Sequence, residues 1–210
     1  QTGAFQLLKD GTIDFAAQSS INYSGTVMEL NLFSLPFFIA NNPDKYKALD
    51  AVLEGESGKR IAGAIESHGV KFLAWGENGF RELTNSKKEI RTPEDMEGLR
   101  FRVVGSPIFL ETFRALGTIP ITLNWNDTMS AIQQGMVAGQ ENPIGTFFPV
   151  NMHKYHKFCT VWNYVVDPVA FVVNDKVWNS FTETDKKAIL ESAATAGKYM
   201  KFLSRAGLDD

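Results

Sequence analysis

Apolar and polar positions along this chain follow two rhythms, and the chain switches between them repeatedly. Period-two stretches read as strands, and stretches with a period near 3.6 read as helices. Ala4-Phe5-Gln6-Leu7-Leu8 closes a helix, with Gly11 as its stop. Residues 12–16 then read as a short strand, and residues 30–39 as an apolar, buried stretch carrying Leu35-Pro36-Phe37. Helical spacing covers residues 45–68, interrupted near Gly55 and Gly58 and closed by Gly69. Residues 70–75 read as a strand, Gly76-Glu77-Asn78-Gly79 as a turn, and 80–84 as extended chain.

The next segment is marked at both ends. Thr92 caps a helix, Asp95 answers it as a capping box, Pro93 fills its first turn, and Gly98 ends it. In the strand that follows, Leu99, Phe101 and Val103 share one face, while Arg100 and Arg102 share the other. Ser106-Pro107 opens a helix to Leu116, ended by Gly117, and residues 120–123 form a strand. Asn126 or Asp127 caps a helix through Gln134, and residues 137–141 are short extended chain before Asn142-Pro143. Residues 146–155 read as helix. Ala170-Phe171-Val172-Val173 has the β-rich character of a central strand, and residues 184–204 form a long amphipathic helix with Asp185 in its first turn. Strands alternating with helices predict an α/β fold. No repeat, low-complexity stretch or linker divides the chain, so any lobes have to be separated by strands that cross between them. Ligand clefts commonly lie between such lobes.

Composition narrows the chemistry. The chain has 210 residues, 44% apolar and 21% charged, which suits a globular protein with a sizeable core. Net charge is −3 and no basic stripe is present, so nucleic acid is excluded as a partner. Cys159 is the only cysteine, which rules out an intrachain disulfide and a cysteine-rich zinc site. The most apolar stretch, residues 30–40, is broken by Asn31, Ser34 and Pro36 and does not read as a membrane span. No signal peptide is visible, and a chain opening on Gln1 suits a processed or trimmed start.

Enzyme signatures are missing: there is no G-x-S-x-G elbow, no G-x-G-x-x-G and no Walker loop. His153, His156 and Cys159 are spaced three apart, but no carboxylate completes a metal set, and neither a metal nor a cofactor is expected. Binding chemistry has more candidates. Arg102 offers a planar fork suited to a carboxylate, the alternative being a salt bridge, for example to Glu82. Asn142 is held extended by Pro143 and both donates and accepts, or is a plain turn residue. Trp125 precedes a helix and either walls a pocket or packs in the core. Arg81 is a candidate second cation, and Gln18, with Ser19 and Ser20, supplies polar groups after a strand or sits in a loop.

Taken in order, several stretches resemble the substrate-binding proteins of TRAP (tripartite ATP-independent periplasmic) transporters. They are Leu8-Lys9-Asp10-Gly11-Thr12-Ile13-Asp14-Phe15, Leu35-Pro36-Phe37, the run from Ile90 to Val103, Ala115-Leu116-Gly117-Thr118-Ile119-Pro120, Ala131-Ile132-Gln133-Gln134-Gly135, Gly139-Gln140-Glu141-Asn142-Pro143 and Val172-Val173-Asn174. The resemblance implies a two-lobed periplasmic binding protein fold with hinge-crossing strands, truncated at both ends relative to family members. By the same analogy residues 1–78 and 168–210 form lobe I, and residues 79–167 form lobe II with the carboxylate clamp. Arg102 matches the family's carboxylate-binding arginine, Asn142 the asparagine of its Glu-Asn-Pro motif, and Trp125 a ligand-contacting aromatic. Arg81 matches a second cleft arginine. Ala138 stands where the family commonly has an acidic residue before Gly139. Asp167, close to the hinge, reads a ligand hydroxyl or ammonium, or caps a strand end.

The implied function is that of a periplasmic, monomeric receptor that binds a small organic acid and delivers it to the membrane subunits of a TRAP transporter. Two alternatives stay open on the sequence: an α/β enzyme acting on a small carboxylate, and a receptor feeding a sensor.

Overall fold

Two long strands run through the middle of the molecule and join its parts. In this computed structural model residues 3–206 are described. The order is α1 (Ala4–Lys9), β1 (Phe15–Ser19), α2 (Lys45–Glu54), α3 (Glu56–Glu66), β2 (Val70–Asn85), β3 (Arg100–Val103), α4 (Pro107–Ala115), β4 (Ile119–Thr122), α5 (Trp125–Gln133), β5 (Gly139–Pro143), β6 (Phe158–Asn174), α6 (Asp175–Ser180) and α7 (Glu183–Ala206). The strands form one six-stranded sheet in the order β1-β6-β2-β5-β3-β4. β3 runs parallel to β4 and β5, and the other pairings are antiparallel. This is the mixed α/β architecture that the alternating pattern predicts.

β2 and β6 pair along most of their length, with register shifts at Phe72/Ala74, Glu77/Gly79 and Arg81/Leu83. Gly79 faces Asp167, and Glu77 faces Pro168. Gly79 has φ +108°, a backbone state that a side chain would strain, so glycine lets the strand bend there without ending. The Gly76-Glu77-Asn78-Gly79 turn expected from the sequence is therefore an irregular passage of one continuous strand.

Apolar packing falls into three clusters. Leu49, Leu53, Ile61 and Ile65 of α2 and α3, spaced four apart in each helix, pack with Val70, Ala170 and Val172. Phe101 and Val103 of β3 pack with Phe109 and Phe113 of α4 and with Tyr164 and Val165 of β6. Ala131, Ile132, Val137 and Met152 form the third. Each fully buried Leu or Phe contributes about 1.5–3 kcal/mol by leaving water. Gly139 fixes the spacing of the second cluster, because an added Cβ would lie 2.5 Å from the Phe101 ring and 2.6 Å from the Thr84 carbonyl oxygen.

Other local expectations are corrected. The Thr92–Asp95 capping box forms, but it opens only a 3-10 turn, Pro93–Met96. The helix expected at 146–155 is replaced by two 3-10 turns, Ile144–Thr146 and Met152–Lys154. Pro149 lacks the N–H that a helix interior needs, and Asn151 is left-handed at φ +54°. β1 starts later than expected, α5 is capped at Asn124, and α6 went unpredicted. Within 30–39, Leu30 and Phe33 are buried while Leu35, Phe37 and Phe38 are exposed.

Candidate functional site

The three parallel strands end together, and their carboxyl ends carry the chemistry. Arg102 sits at the end of β3 and Asn142 at the end of β5, while Trp125 opens the helix that follows β4. Crevices outside the carboxyl ends of parallel strands are where open α/β sheets hold ligands. From the other side come Gln18 at the end of β1, Arg81 from β2 and Asp167 from β6. All six line one cavity of about 300 Å3, together with Ala17, Ser19, Asn22, Asn78, Val104 and Thr146. A second cleft of about 410 Å3 lies between α7 and the strands β1, β6 and β2, but its walls are almost wholly apolar and offer no charged partner.

Arg102 is 2% exposed. Its Nε and Nη2 donate to the Leu123 carbonyl at 3.1 and 2.8 Å, and its Cζ lies 5.7 Å from the Trp125 ring centre. Among the described residues no carboxylate forms an ion pair with it. Glu82, the alternative partner, turns its Oε2 to the backbone N–H groups of Trp162 and Asn163 at 2.7 and 2.8 Å. Burial pulls the Arg102 pKa down to about 10, and the more distant Glu141 charge offsets part of that.

Arg81 is 3% exposed and heavily engaged. Nε and Nη2 hold Glu141 as a bidentate pair, Nη1 reaches Asp167 at 2.9 Å, and Nη2 also meets the Glu141 carbonyl at 2.9 Å and Asn142 Oδ1 at 3.0 Å. Burial lowers the Arg81 pKa, but Glu141 and Asp167 raise it further, and the net shift is upward. Asp167 also accepts from Ser19 Oγ at 2.5 Å and Asn78 Nδ2 at 3.1 Å. Burial nevertheless outweighs these donors and raises its pKa.

A line of amides fixes Asn142. Arg81 can only donate, so the Asn142 oxygen faces it and the amide nitrogen turns away. That nitrogen donates to Gln140 Oε1 at 2.8 Å, and Gln140 Nε2 donates to Thr84 Oγ1 at 2.8 Å. Thr84 Oγ1 shares a 2.9 Å hydrogen bond with His156 Nδ1, and burial takes the His156 pKa down to about 4. Tyr164 donates to Glu141 Oε2 at 2.8 Å.

Sequence reasoning missed Glu141, which holds Arg81, and Asn78, which steadies Asp167. The unbroken polar run Gln140-Glu141-Asn142 in a fully buried strand was a signal for an internal network. The Leu123 carbonyl, a backbone group, left none. His156 is buried while Cys159 is exposed, and among the described residues no group of His, Cys, Asp and Glu is arranged to hold a metal.

Fold and cavity together define a class: an α/β protein with a polar cavity at the carboxyl ends of parallel strands. The family follows from direct comparison. The model for bacterial extracellular solute-binding protein, family 7 (DctP) matches residues 1–207, and the chain belongs to this family, that of the TRAP substrate-binding proteins. A TRAP periplasmic solute-binding protein from Ralstonia eutropha, solved with bound (S)-2-acetolactate, is 50% identical; the match covers 100% of this chain and 66% of that one, with a TM-score of 0.94. The sugar acid binding protein DctPAm from Advenella mimigardefordensis, in complex with galactonate, is 28% identical over 99% of this chain and 66% of that one, with a TM-score of 0.92. The 2,3-diketo-L-gulonate-binding periplasmic protein YiaO of Escherichia coli is 29% identical over 93% of this chain. The chain spans 57–59% of the length of the first three curated relatives it matches.

Proposed function

We propose that this chain is the ligand-binding part of a periplasmic solute receptor, which takes up a small organic carboxylate and passes it to the membrane subunits of a TRAP transporter. The observation that carries this reading is Arg102: a buried guanidinium on a cavity wall with no carboxylate partner among the described residues. A cation removed from water and left without a counter-charge is stabilised when an anion enters. The ligand's carboxylate sits on Arg102, the second N–H of the Asn142 amide completes its hydrogen bonds, and Trp125 covers the apolar part. Acid ligands in the acetolactate and galactonate complexes of relatives support the same chemistry.

The lobes are residues 1–78 with 168–210, and 79–167. The facing pair Gly79 and Asp167, beside a register shift, supports a hinge there. Closure would bring Gln18 toward Arg102, and differential contact with the closed state would drive it. The receptor works as a monomer and by binding, not catalysis; the carboxylates in the site are already turned to Arg81.

Calorimetric titration of small carboxylates into the wild-type protein and Arg102→Ala tests the reading. Loss of one member of a buried charge pair costs about 2–5 kcal/mol. We expect the mutant's affinity to fall by at least about thirtyfold. Equal affinity in both proteins would remove Arg102 from the site.

A further inference from the structure

The charges around the cavity sum to zero before any ligand enters. Arg81 and Arg102 supply two positive charges, Glu141 and Asp167 two negative ones, and all four are at most 3% exposed. Both carboxylates are ion-paired to Arg81, so Arg81 has no charge left to offer a ligand. Asn142, Gln18, Ser19, Asn22, Asn78 and Thr146, also on the wall, are neutral. Amides and hydroxyls on the wall match a ligand hydroxyl, which both donates and accepts. The cavity, about 300 Å3, has room for roughly ten waters' worth of ligand.

Resting on the reading that a carboxylate sits on Arg102, we propose that the protein selects small monocarboxylates bearing hydroxyl groups and rejects dicarboxylates. One carboxylate offsets Arg102. A second would enter a low-dielectric site whose other cation is already neutralised, next to the buried carboxylate of Asp167. Buried charge without a partner is costly. The first acid group has Arg102 beside it, while a second has no cation of its own and bears most of that cost. Discrimination arises from Glu141 and Asp167, which turn Arg81 from a potential second clamp into a structural tie.

Matched pairs test that charge: the malate pair isolates it, and the tartronate pair exchanges one hydroxyl for it. Malate is 2-hydroxybutanoate with its methyl replaced by a carboxylate, and tartronate is glycerate with its CH2OH so replaced. Calorimetric titration of all four into the wild-type protein should show the monoacid of each pair binding at least tenfold tighter. Asp167→Asn removes one negative charge and should narrow the malate gap at least threefold. Glu141→Gln carries the same test should the first variant fail to fold.

A dicarboxylate that binds as well as its partner overturns the proposal, as does a gap that neither variant narrows. Binding of none of the four, while other carboxylates still bind and depend on Arg102, overturns the ligand class and leaves the receptor reading intact. Carboxylate binding that ignores Arg102 strikes the receptor reading instead.

Discussion

Arg81 and Arg102 are the same side chain at the same depth, 3% and 2% exposed, in opposite electrical settings. Arg81, on β2 between β5 and β6, is held by Glu141, Asp167 and Asn142, and its pKa is raised. Arg102, at the tip of β3, is held by a backbone carbonyl, and burial lowers its pKa to about 10. Burial alone therefore does not mark a ligand-binding cation; what distinguishes the two is whether the fold supplies the counter-charge. One arginine belongs to the frame, and the other depends on an anion from outside.

Removing Arg81 gives the largest expected loss of stability. Arg81→Met leaves Glu141 and Asp167 buried side by side without their common cation. Breaking such a set by deleting one partner costs about 3–5 kcal/mol. The urea midpoint should fall accordingly, and a loss under about 1 kcal/mol would show that Arg81 is not part of the frame.

The frame was more legible in the sequence than its polar interior. Helix ends carried their own punctuation: Pro107 opens α4, Gly117 follows it at φ +74°, and Asp185 sits in the first turn of α7. Local signals failed where distant partners decide. Gly76 to Gly79 has the composition of a turn, yet Glu77 is tied to Arg205 at 2.6 Å and Asn78 to Asp167 at 3.1 Å, so β2 runs on. Thr92 and Asp95 set a cap, but a cap fixes where a turn starts and not how far it continues. Arg102, Asn142 and Trp125 come together because the parallel strands end at one level, and Gln18, Arg81 and Asp167 of the antiparallel strands complete the same cavity. Their division of labour was out of reach, because it depends on Glu141 of β5 facing across to β2.

A third buried base extends the comparison. His156 is 5% exposed and, unlike an arginine, escapes burial by staying neutral, with its pKa lowered from 6.5 to about 4. Between those values the unfolded chain takes up a proton that the folded protein refuses, so stability falls as pH drops from 6.5 to 4. The full difference is about 3 kcal/mol. Asp167, Glu77 and Glu82, whose pKa values burial raises, act in the opposite sense, since the folded protein binds their protons first. Those groups remain in His156→Asn and cancel when the two proteins are compared. Chemical denaturation of both from pH 7 to pH 4 should show the variant losing about 3 kcal/mol less; parallel curves would mean that His156 takes up its proton in the folded state.

The smallest change is expected where the pocket is most specific. Arg102→Met, measured without ligand, removes a buried cation that no carboxylate pairs with among the described residues, and replaces it with a shorter apolar chain that fills the path of the arginine stem. Two terms oppose each other. The variant no longer has to keep a charge out of water, and replacing buried ions with apolar groups is often neutral or stabilising. Against that, the Leu123 carbonyl loses its donor, at a cost of about 1–3 kcal/mol if water does not replace it. The cavity lets water reach that carbonyl, so the net shift in the urea midpoint should correspond to less than about 1 kcal/mol. A loss matching that of Arg81→Met would make Arg102 a second structural tie, and the contrast between the two arginines would disappear.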